Sequence, residues 1–241
     1  METISKIDRQ QRGVIAYLSD EAHDRGRVRG HERFSIAMHA DGAKTLRASC
    51  VIDDPPHIVR DVVQTVDALM RPRECFVQLR VGGAFAGSGW FAWRDGWAGC
   101  EADTAAEGRV SQRMACADGP RGFCNHAIVG DAWMAANHPR RQGGEAFTLA
   151  QMFTPSLNKQ GSTGPLLART ALGIVYRGAE RVTVPAGTFT TLSFRFTGAE
   201  AHAASAGPEY EMWTTDDGCY SPVLSMYRGR RRYELVELVH D

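Results

Sequence analysis

The dominant feature of this 241-residue sequence is a hydrophobic period of two that recurs along most of the chain. In the run R-F-S-I-A-M-H-A, the side chains of Phe34, Ile36 and Met38 fall on one side of an extended chain. Asp41 and Gly42 then mark a turn before the next run, K-T-L-R-A-S-C-V-I. The pattern predicts a β-hairpin here, and its repetition predicts about ten or more antiparallel strands in the whole chain.

Three segments depart from this period and predict helices. The residues from Ile7 to His23 have the scattered apolar positions of a surface helix. In 55–70, a proline pair follows Asp54, which suits a helix N-cap, and apolar residues recur at spacings of one, three and four. The third helix is predicted over 126–137, where Asn125 is the cap and Pro139 follows the last turn.

The predicted fold class is therefore mainly β, a large antiparallel half-barrel or barrel with one helix in its concavity and two flanking helices. A meander of this length can bury one face of every strand only by curling or closing. We expect a single β-rich domain over 1–241. It would contain a first strand set at 32–116 with the inserted helix 55–70 in the concavity, a helical connection at 117–144, and a second strand set at 145–241.

Composition excludes several classes of partner. The 28 basic and 28 acidic residues balance, so no net field favours nucleic acid or an anionic membrane. The six cysteines have no framework spacing, the first residues lack the apolar stretch of a signal peptide, and no apolar run is long enough to span a membrane. We expect a cytoplasmic protein without nucleic-acid or membrane partners, for which a homodimer stays open.

The C-terminal third carries the motifs V-P-A-G-T-F, E-M-W-T-T-D-D-G and P-V-L-S-M-Y in this order. With these motifs, the C-terminal third resembles bacterial antiparallel half-barrel proteins related in shape to the periplasmic lipoprotein carriers. The resemblance implies a half-barrel fold and an apolar concavity large enough for a ligand. The arginine-rich and alanine-rich chain as a whole also resembles the cofactor-free lyases that act on lignin-derived aromatic dimers. That second resemblance implies a reaction class and transfers no residue.

The stretch G-F-C-N-H-A-I-V-G-D-A-W holds the densest set of reactive residue types. His126 and Asp131 are five residues apart, so on a regular helix they lie roughly 140° from each other and cannot form a dyad. His126 is either a core histidine bonded to backbone or an acid/base group. The spacing of Cys116, Cys124 and His126 is too wide for a usual zinc site, and we expect neither metal nor cofactor.

Strand alternation brings further polar and aromatic residues onto shared faces. Besides His126, the candidate catalytic residues are Glu101 as the base, with Arg109 or Tyr210 as the donor to a developing anion. The candidate ligand-binding residues are Trp90, Tyr176, Trp213 and Tyr227. The basic run R-G-R-R-R at 228–232 is typical of a solvated turn between two strands.

These features favour a cofactor-independent enzyme that acts by proton transfer on a small hydrophobic, aromatic molecule, with a lyase or isomerase outcome. The alternative is a binding or carrier protein for a hydrophobic ligand on the same scaffold. A structural module that buries its apolar faces against a partner chain is a third hypothesis.

Overall fold

The computed structural model describes residues 9–140, 146–158, 160–198 and 210–240, and these form fifteen strands and one helix. The first eight strands are β1 Gln10–Ser19, β2 Val28–Met38, β3 Lys44–Ile52, β4 Ile58–Val66, β5 Pro72–Val81, β6 Ala84–Arg94, β7 Trp97–Thr104 and β8 Gly108–Ala115. The remaining elements are β9 Gly122–Phe123, α1 Ile128–Ala135, β10 Phe147–Thr154, β11 Ala168–Val184, β12 Gly187–Gly198, β13 Tyr210–Thr215, β14 Pro222–Tyr227 and β15 Arg231–His240.

All fifteen strands belong to one sheet, in the order β8-β7-β6-β5-β4-β3-β2-β1-β15-β14-β13-β12-β11-β10-β9. Each half of the chain is thus a meander, and the two halves join where β1 pairs with β15. Every neighbouring pair is antiparallel except β9 with β10, which is parallel. This architecture confirms the prediction of a mainly β half-barrel.

The sheet curls without closing, and its two edges, β8 and β9, belong to opposite ends of the strand order. The side-chain amide of Gln112 in β8 bridges the gap. Its Oε1 accepts the Leu167 N–H at 2.7 Å, and its Nε2 donates to the Leu167 carbonyl at 3.2 Å. The Gln112 side chain thus forms with the Leu167 backbone the two hydrogen bonds that a neighbouring strand would otherwise form, and it links β8 to the residue just before β11.

The concavity holds α1, which packs against β3, β9, β13 and β14. Seven of its eight residues are buried, Asp131 being the exception. A helix that is apolar nearly all round is expected only inside a core. One helix does lie in the concavity, as predicted, but it comes from the connection between the strand sets and not from 55–70.

The predicted helix over 55–70 is wrong, because Ile58–Val66 is strand β4. Its inward positions alternate strictly along the strand, but two of them are the polar residues Arg60 and Gln64. Two of its outward positions are the exposed valines Val59 and Val63. This exchange of polarity between the faces produced the helical spacing of apolar residues in the sequence.

The two flanking helices are also wrong for the described residues. Residues 7 and 8 lie outside the described part, and Gln10–Ser19 is strand β1 with alternating burial. The helix predicted over 126–137 shortens to Ile128–Ala135, and its N-cap residue is Ala127. His126 precedes the helix with φ of 64°. The connection 117–144 thus contributes one helix, while the first strand set begins before residue 32.

Residues 155–158 and 160–167, called segment 155–167 below, pass along the inner face of β6. A Cβ built on Gly87 of β6 would lie 2.7 Å from Cδ of Pro165 and 2.9 Å from the Gly164 carbonyl oxygen. Gly89, two residues on, approaches the same proline. Glycines on the inner face of β6 therefore make room for this segment. Since α1 has eight residues, the described part of the chain contains no helix with the length and apolarity that a membrane crossing requires.

Substitution of Gly87 tests this packing. We expect Gly87→Ala to lower the free energy of unfolding by about 1 to 3 kcal/mol, because its methyl group would displace the backbone around Pro165. Gly99→Ala on β7 is the matched control, since a Cβ there has no neighbour closer than 3.8 Å. The control should change stability by less than about 1 kcal/mol. Urea unfolding followed by circular dichroism measures both, and equal effects would contradict the packing.

Candidate functional site

A buried carboxylate organises the interior around the start of α1. Glu32, on the inner face of β2, is 0 % exposed. Its oxygens accept the N–H groups of Ile128 at 2.7 Å and Val129 at 3.1 Å, and the hydroxyl of Tyr17 at 2.6 Å. Burial raises the pKa of Glu32, and these donors oppose the rise. The first N–H groups of the helix thus find their acceptor on a strand, not in their own loop.

Arg60 holds the residue before the helix and the loop of segment 155–167. Its guanidinium is buried and donates to the carbonyl oxygens of His126 at 2.9 Å, Gln160 at 2.7 Å and Gly161 at 3.0 Å. A guanidinium can satisfy three carbonyl groups at once because its donors are fixed in one plane. Arg60, one of the two polar inward residues of β4, therefore joins the chain before α1 to the loop of segment 155–167.

His126 lies in packed surroundings. Its Nε2 is 3.1 Å from the Ser156 carbonyl oxygen and 3.2 Å from Oγ1 of Thr154. A Cβ on Gly161 would lie 2.7 Å from its ring. Burial first, and the Arg60 charge second, lower the pKa of His126 to about 4. The imidazole is therefore neutral near pH 7, and its ring nitrogen faces a carbonyl and a hydroxyl of its own chain.

Asp131 and Tyr210 form a hydrogen-bonded pair of titratable side chains in the interior. The Tyr210 hydroxyl donates to Asp131 Oδ2 at 3.0 Å, and the Cys124 thiol lies 3.7 Å from Oδ1. Burial raises the pKa of Asp131 to about 7. Tyr210 in turn stacks on Tyr227, with ring centroids 4.2 Å apart and planes 9° from parallel. Two residues predicted from the sequence, Tyr210 and Tyr227, thus come together beside a carboxyl that was not predicted as a site residue.

The other predicted catalytic residues lie elsewhere. Glu101 and Arg109 are exposed on the convex face of β7 and β8, where Glu101 accepts the Ser111 hydroxyl at 2.6 Å. Trp90 is also on this face, 40 % exposed. The structure does not bring any of the three to His126 or Tyr210, because alternate residues of a strand point to opposite faces.

Tyr176 and Trp213 occupy two further places. Tyr176 packs against the rings of His138 and Phe194. The indole of Trp213 donates to Glu180 Oε1 at 2.5 Å. Neither ring joins the stack of Tyr210 and Tyr227.

The arginines that follow Tyr176 and Tyr227 in the sequence do not support a shared ligand site. Arg177 and Arg228 both bind Glu211, which is 1 % exposed on the outward side of β13. Each phenol and the cation next to it in sequence therefore belong to opposite faces of the sheet.

The interior pocket beside α1 is too small for an aromatic ligand. It has a volume of about 10 Å³ and is lined by residues that include Phe123, Trp133 and Met134. A water molecule needs about this much room, and a small-molecule site needs several hundred cubic ångströms.

A larger opening, the rim cleft, lies at one end of the half-barrel and has a volume of about 520 Å³. It is built by the turns β1–β2, β3–β4 and β14–β15, which meet because their strands are neighbours in the sheet. Its lining residues are Ser19, Glu21, His23, Asp24, Arg27, Arg29, Asp54, Gly229, Arg230 and Arg231.

On one wall of the rim cleft the arginines are engaged in ion pairs, and Glu21 adds a carboxylate that no arginine of the wall binds. Arg27 donates to Asp24 at 2.6 Å and to Asp54 at 2.8 Å, and Arg29 donates to Asp54 at 2.5 Å. Burial alone would raise the pKa of Asp54, but these two arginines hold it below its ordinary value. Asp54 thus binds arginines and is not the cap of a helix.

The opposite wall is cationic. Arg230 and Arg231 form no ion pair with any carboxylate of the described residues, and both face the rim cleft. Below them lies Tyr233, whose pKa is raised by burial and partly lowered by the Arg231 guanidinium. Tyr233 meets Tyr17 edge to face at 5.0 Å, and Tyr17 donates to Glu32. Arg231, a lining residue of the rim cleft, is therefore linked through Tyr233 and Tyr17 to the network that holds α1.

Sequence reasoning missed the rim cleft, although two of its segments were noticed separately. The run R-G-R-R-R was predicted to be a solvated turn. Residues 228–230 are the exposed β14–β15 connection, whereas Arg231 and Arg232 belong to β15 and are half-buried. Asp54 was assigned to a cap. The pairing of β1 with β15 brings the two segments together, and no local sequence pattern predicts this long-range pairing. Over the described ranges, no group of three or more His, Cys, Asp or Glu side chains is arranged to hold a metal ion.

The opposite pKa shifts of Asp131 and His126 give opposite pH dependences. Asp131 has an ordinary pKa of 3.8 and a folded pKa of about 7, so its contribution to stability is complete below pH 4 and is lost as pH rises to about 7. His126 has an ordinary pKa of 6.5 and a folded pKa of about 4, so its contribution is complete above pH 6.5 and is lost as pH falls towards 4.

We therefore expect Asp131→Asn to gain stability relative to the wild type between pH 4 and 7, by on the order of 3 kcal/mol. His126→Asn should gain relative to the wild type in the reverse direction, as pH falls from 6.5 to 4. Asparagine suits the positive φ of position 126. Urea unfolding at a series of pH values measures both, and parallel curves for wild type and variants would contradict these environments.

Comparisons with known proteins support the fold alone. No protein-family model matches the chain, and no curated protein matches it. Among solved structures, a β-barrel-like protein of the domain of unknown function DUF1849 from Brucella abortus matches with a TM-score of 0.55, 10% sequence identity and coverage of 98% of both chains. A candidate lipoprotein from Parabacteroides distasonis covers 94% of this chain and 95% of its own, at 9% identity and a TM-score of 0.28. The chain is thus similar in fold to the β-barrel-like Brucella protein.

Proposed function

We propose that this chain is a binding protein for a small anionic molecule, which it holds in the rim cleft. The observation that carries the proposal is the cationic wall of Arg230 and Arg231, which has no carboxylate partner among the described residues and faces an opening of about 520 Å³. Openings of this volume suit small molecules. Guanidinium groups bind carboxylates and phosphates through paired hydrogen bonds.

The wall of the β1–β2 and β3–β4 turns gives the rim cleft its polarity, because its three carboxylates outnumber its two arginines. Asp24 and Asp54 engage Arg27 and Arg29, so the anion is drawn towards the β14–β15 side. A hydrophobic ligand, as expected for a carrier of the lipoprotein-carrier type, has less support. The lining of the rim cleft is charged, and the pocket beside α1 is too small for such a ligand. Turns supported by a rigid sheet are a usual location for binding residues.

Binding of citrate and of pyrophosphate, measured by isothermal titration calorimetry at low salt, tests the proposal. We expect both probes to bind the wild type, and Arg230→Gln with Arg231→Gln to weaken binding at least about tenfold, since each lost charge-assisted bond is worth about 1.5 kcal/mol or more. Arg109→Gln on the convex face is the matched control. Absence of binding to the wild type, or an equal loss in the control, would refute the proposal.

A second variant makes the opposite change. Asp54→Asn removes a negative charge from the rim cleft and the carboxylate that engages Arg29, so Arg29 becomes available to the anion while Arg27 keeps its bond to Asp24. We expect this substitution to strengthen binding of the same probes while the double glutamine variant weakens it.

The proton-transfer enzyme predicted from the sequence is a second candidate, and one observation favours it. Asp131 has a pKa of about 7 beside the Tyr210 hydroxyl, and perturbed carboxyl groups cluster at active sites. Both Asp131 and the stacked Tyr227 keep partial solvent exposure. In this reaction class Asp131 would be the base and Tyr210 the donor.

Incubation of the purified protein with a panel of lignin-type aromatic dimers tests this candidate. Turnover seen by chromatography should disappear in Asp131→Asn and persist in Glu101→Gln, because Glu101 lies on the convex face. If the wild type converts no member of the panel but still binds citrate, the enzyme hypothesis is refuted and the anion-binding hypothesis is retained.

A further inference from the structure

A row of exposed apolar side chains crosses the convex face of the first strand set. Val63 of β4 is directly opposite Phe76 of β5, and Phe76 is directly opposite Trp90 of β6. Directly opposed side chains of neighbouring strands lie about 5 Å apart at Cβ, so these three touch or nearly touch. We call the row and its neighbours on the same face the convex patch, which comprises Val59, Val63, Phe76, Phe85, Trp90 and Trp97.

The convex patch concentrates the exposed apolar residues of the protein. Its six members are 37 to 40 % exposed, and they include both exposed tryptophans of the described residues. Together they expose on the order of 500 Å². The continuous part is the row of Val63, Phe76 and Trp90, since Phe85 lies near the start of β6 and Trp97 opposite its last residue. No element of the described chain covers them.

Two arginines fix the indole rings of the convex patch. The Arg113 guanidinium carbon lies 4.1 Å from the ring centroid of Trp97, and that of Arg94 lies 5.5 Å from the ring centroid of Trp90. Such cation–π contacts limit the freedom of both partners. The side chains are therefore partly ordered before any partner binds, which lowers the entropic cost of association.

The charges around the convex patch have both signs on the same face. Outward-pointing residues of both signs lie on its strands and on the neighbouring strands β3 and β8, namely Asp61, Glu74, Glu101 and Asp103 with Arg47, Arg80, Arg94, Arg109 and Arg113. The four acidic and five basic residues nearly balance, so this face has no strong net charge that would favour an anionic membrane or a nucleic acid. A surface that carries apolar groups and both charges can complement a rotated copy of itself.

We propose that the convex patch is the interface of a homodimer, in which the convex faces of two copies pack against each other about a two-fold axis. The apolar row forms the centre and the mixed charges form the rim, which is the usual anatomy of a protein interface. A standard interface buries roughly 800 Å² per partner, so the polar rim would supply the area beyond the apolar side chains. The dimer leaves the rim cleft open, because the cleft lies at the strand ends and not on this face.

Sedimentation velocity over a concentration series tests the proposal. The wild type should shift from one to two chain masses as concentration rises. Trp90→Glu with Phe76→Glu should raise the dissociation constant at least about tenfold, since buried aromatic anchors dominate interface energies. Leu157→Glu is the matched control, because Leu157 is 75 % exposed but lies outside the convex patch. The milder pair Trp90→Ser with Phe76→Ser repeats the test if the charged pair alters the circular dichroism spectrum.

Three outcomes would overturn the homodimer. The first is a wild type that stays monomeric at every concentration. The second is a dimer that persists in both double variants or is lost equally in Leu157→Glu. The third is a monomer that co-sediments with anionic phospholipid vesicles through Trp90 and Phe76, which would assign the convex patch to a lipid surface.

Discussion

The interior of this protein depends on one carboxylate, that of Glu32. A helix as short as α1 is unstable alone, and its first N–H groups need acceptors that a buried loop rarely supplies. Glu32 provides two of these bonds from β2 while Tyr17 donates to it, so the cost of burying the carboxylate is offset by hydrogen bonds and by the helix dipole. The position of α1 in the half-barrel follows from this contact and from the Arg60 bonds to the residue that precedes it.

The occupied concavity determines where binding can take place. In a half-barrel with an empty inner face, a ligand would lie where α1 and segment 155–167 lie here. Because the chain fills this space itself, the accessible polar surface is displaced to the strand ends, and the rim cleft forms there. A series of contacts through Arg231, Tyr233, Tyr17 and Glu32 joins the lining of the cleft to the start of the helix.

The sequence predicted the strands wherever apolar residues marked the inner face. It failed for β4, where Arg60 and Gln64 point inward and Val59 and Val63 point outward, because periodicity identifies a buried face only by its apolarity. The candidate site was harder to predict. Tyr210 and Tyr227 could be placed on strands, but Glu32 looks like one more charged residue of a hairpin. The long-range contact that unites the halves, Tyr17 opposite Tyr233, leaves no local trace.

The same exchange of polarity in β4 connects the interior with the convex patch. An inward arginine is retained because three backbone carbonyl groups of the loop and of the helix entry need it. That task does not require the outward valines, which would be replaced by polar residues at no structural cost if the convex face met only water. Val63 is directly opposite Phe76, and Phe76 is directly opposite Trp90 on the next strand. Three exposed apolar residues in one row are poorly explained as unrelated single residues. The proposed interface would bury this row, in which Val63, Phe76 and Trp90 are directly opposed across β4, β5 and β6.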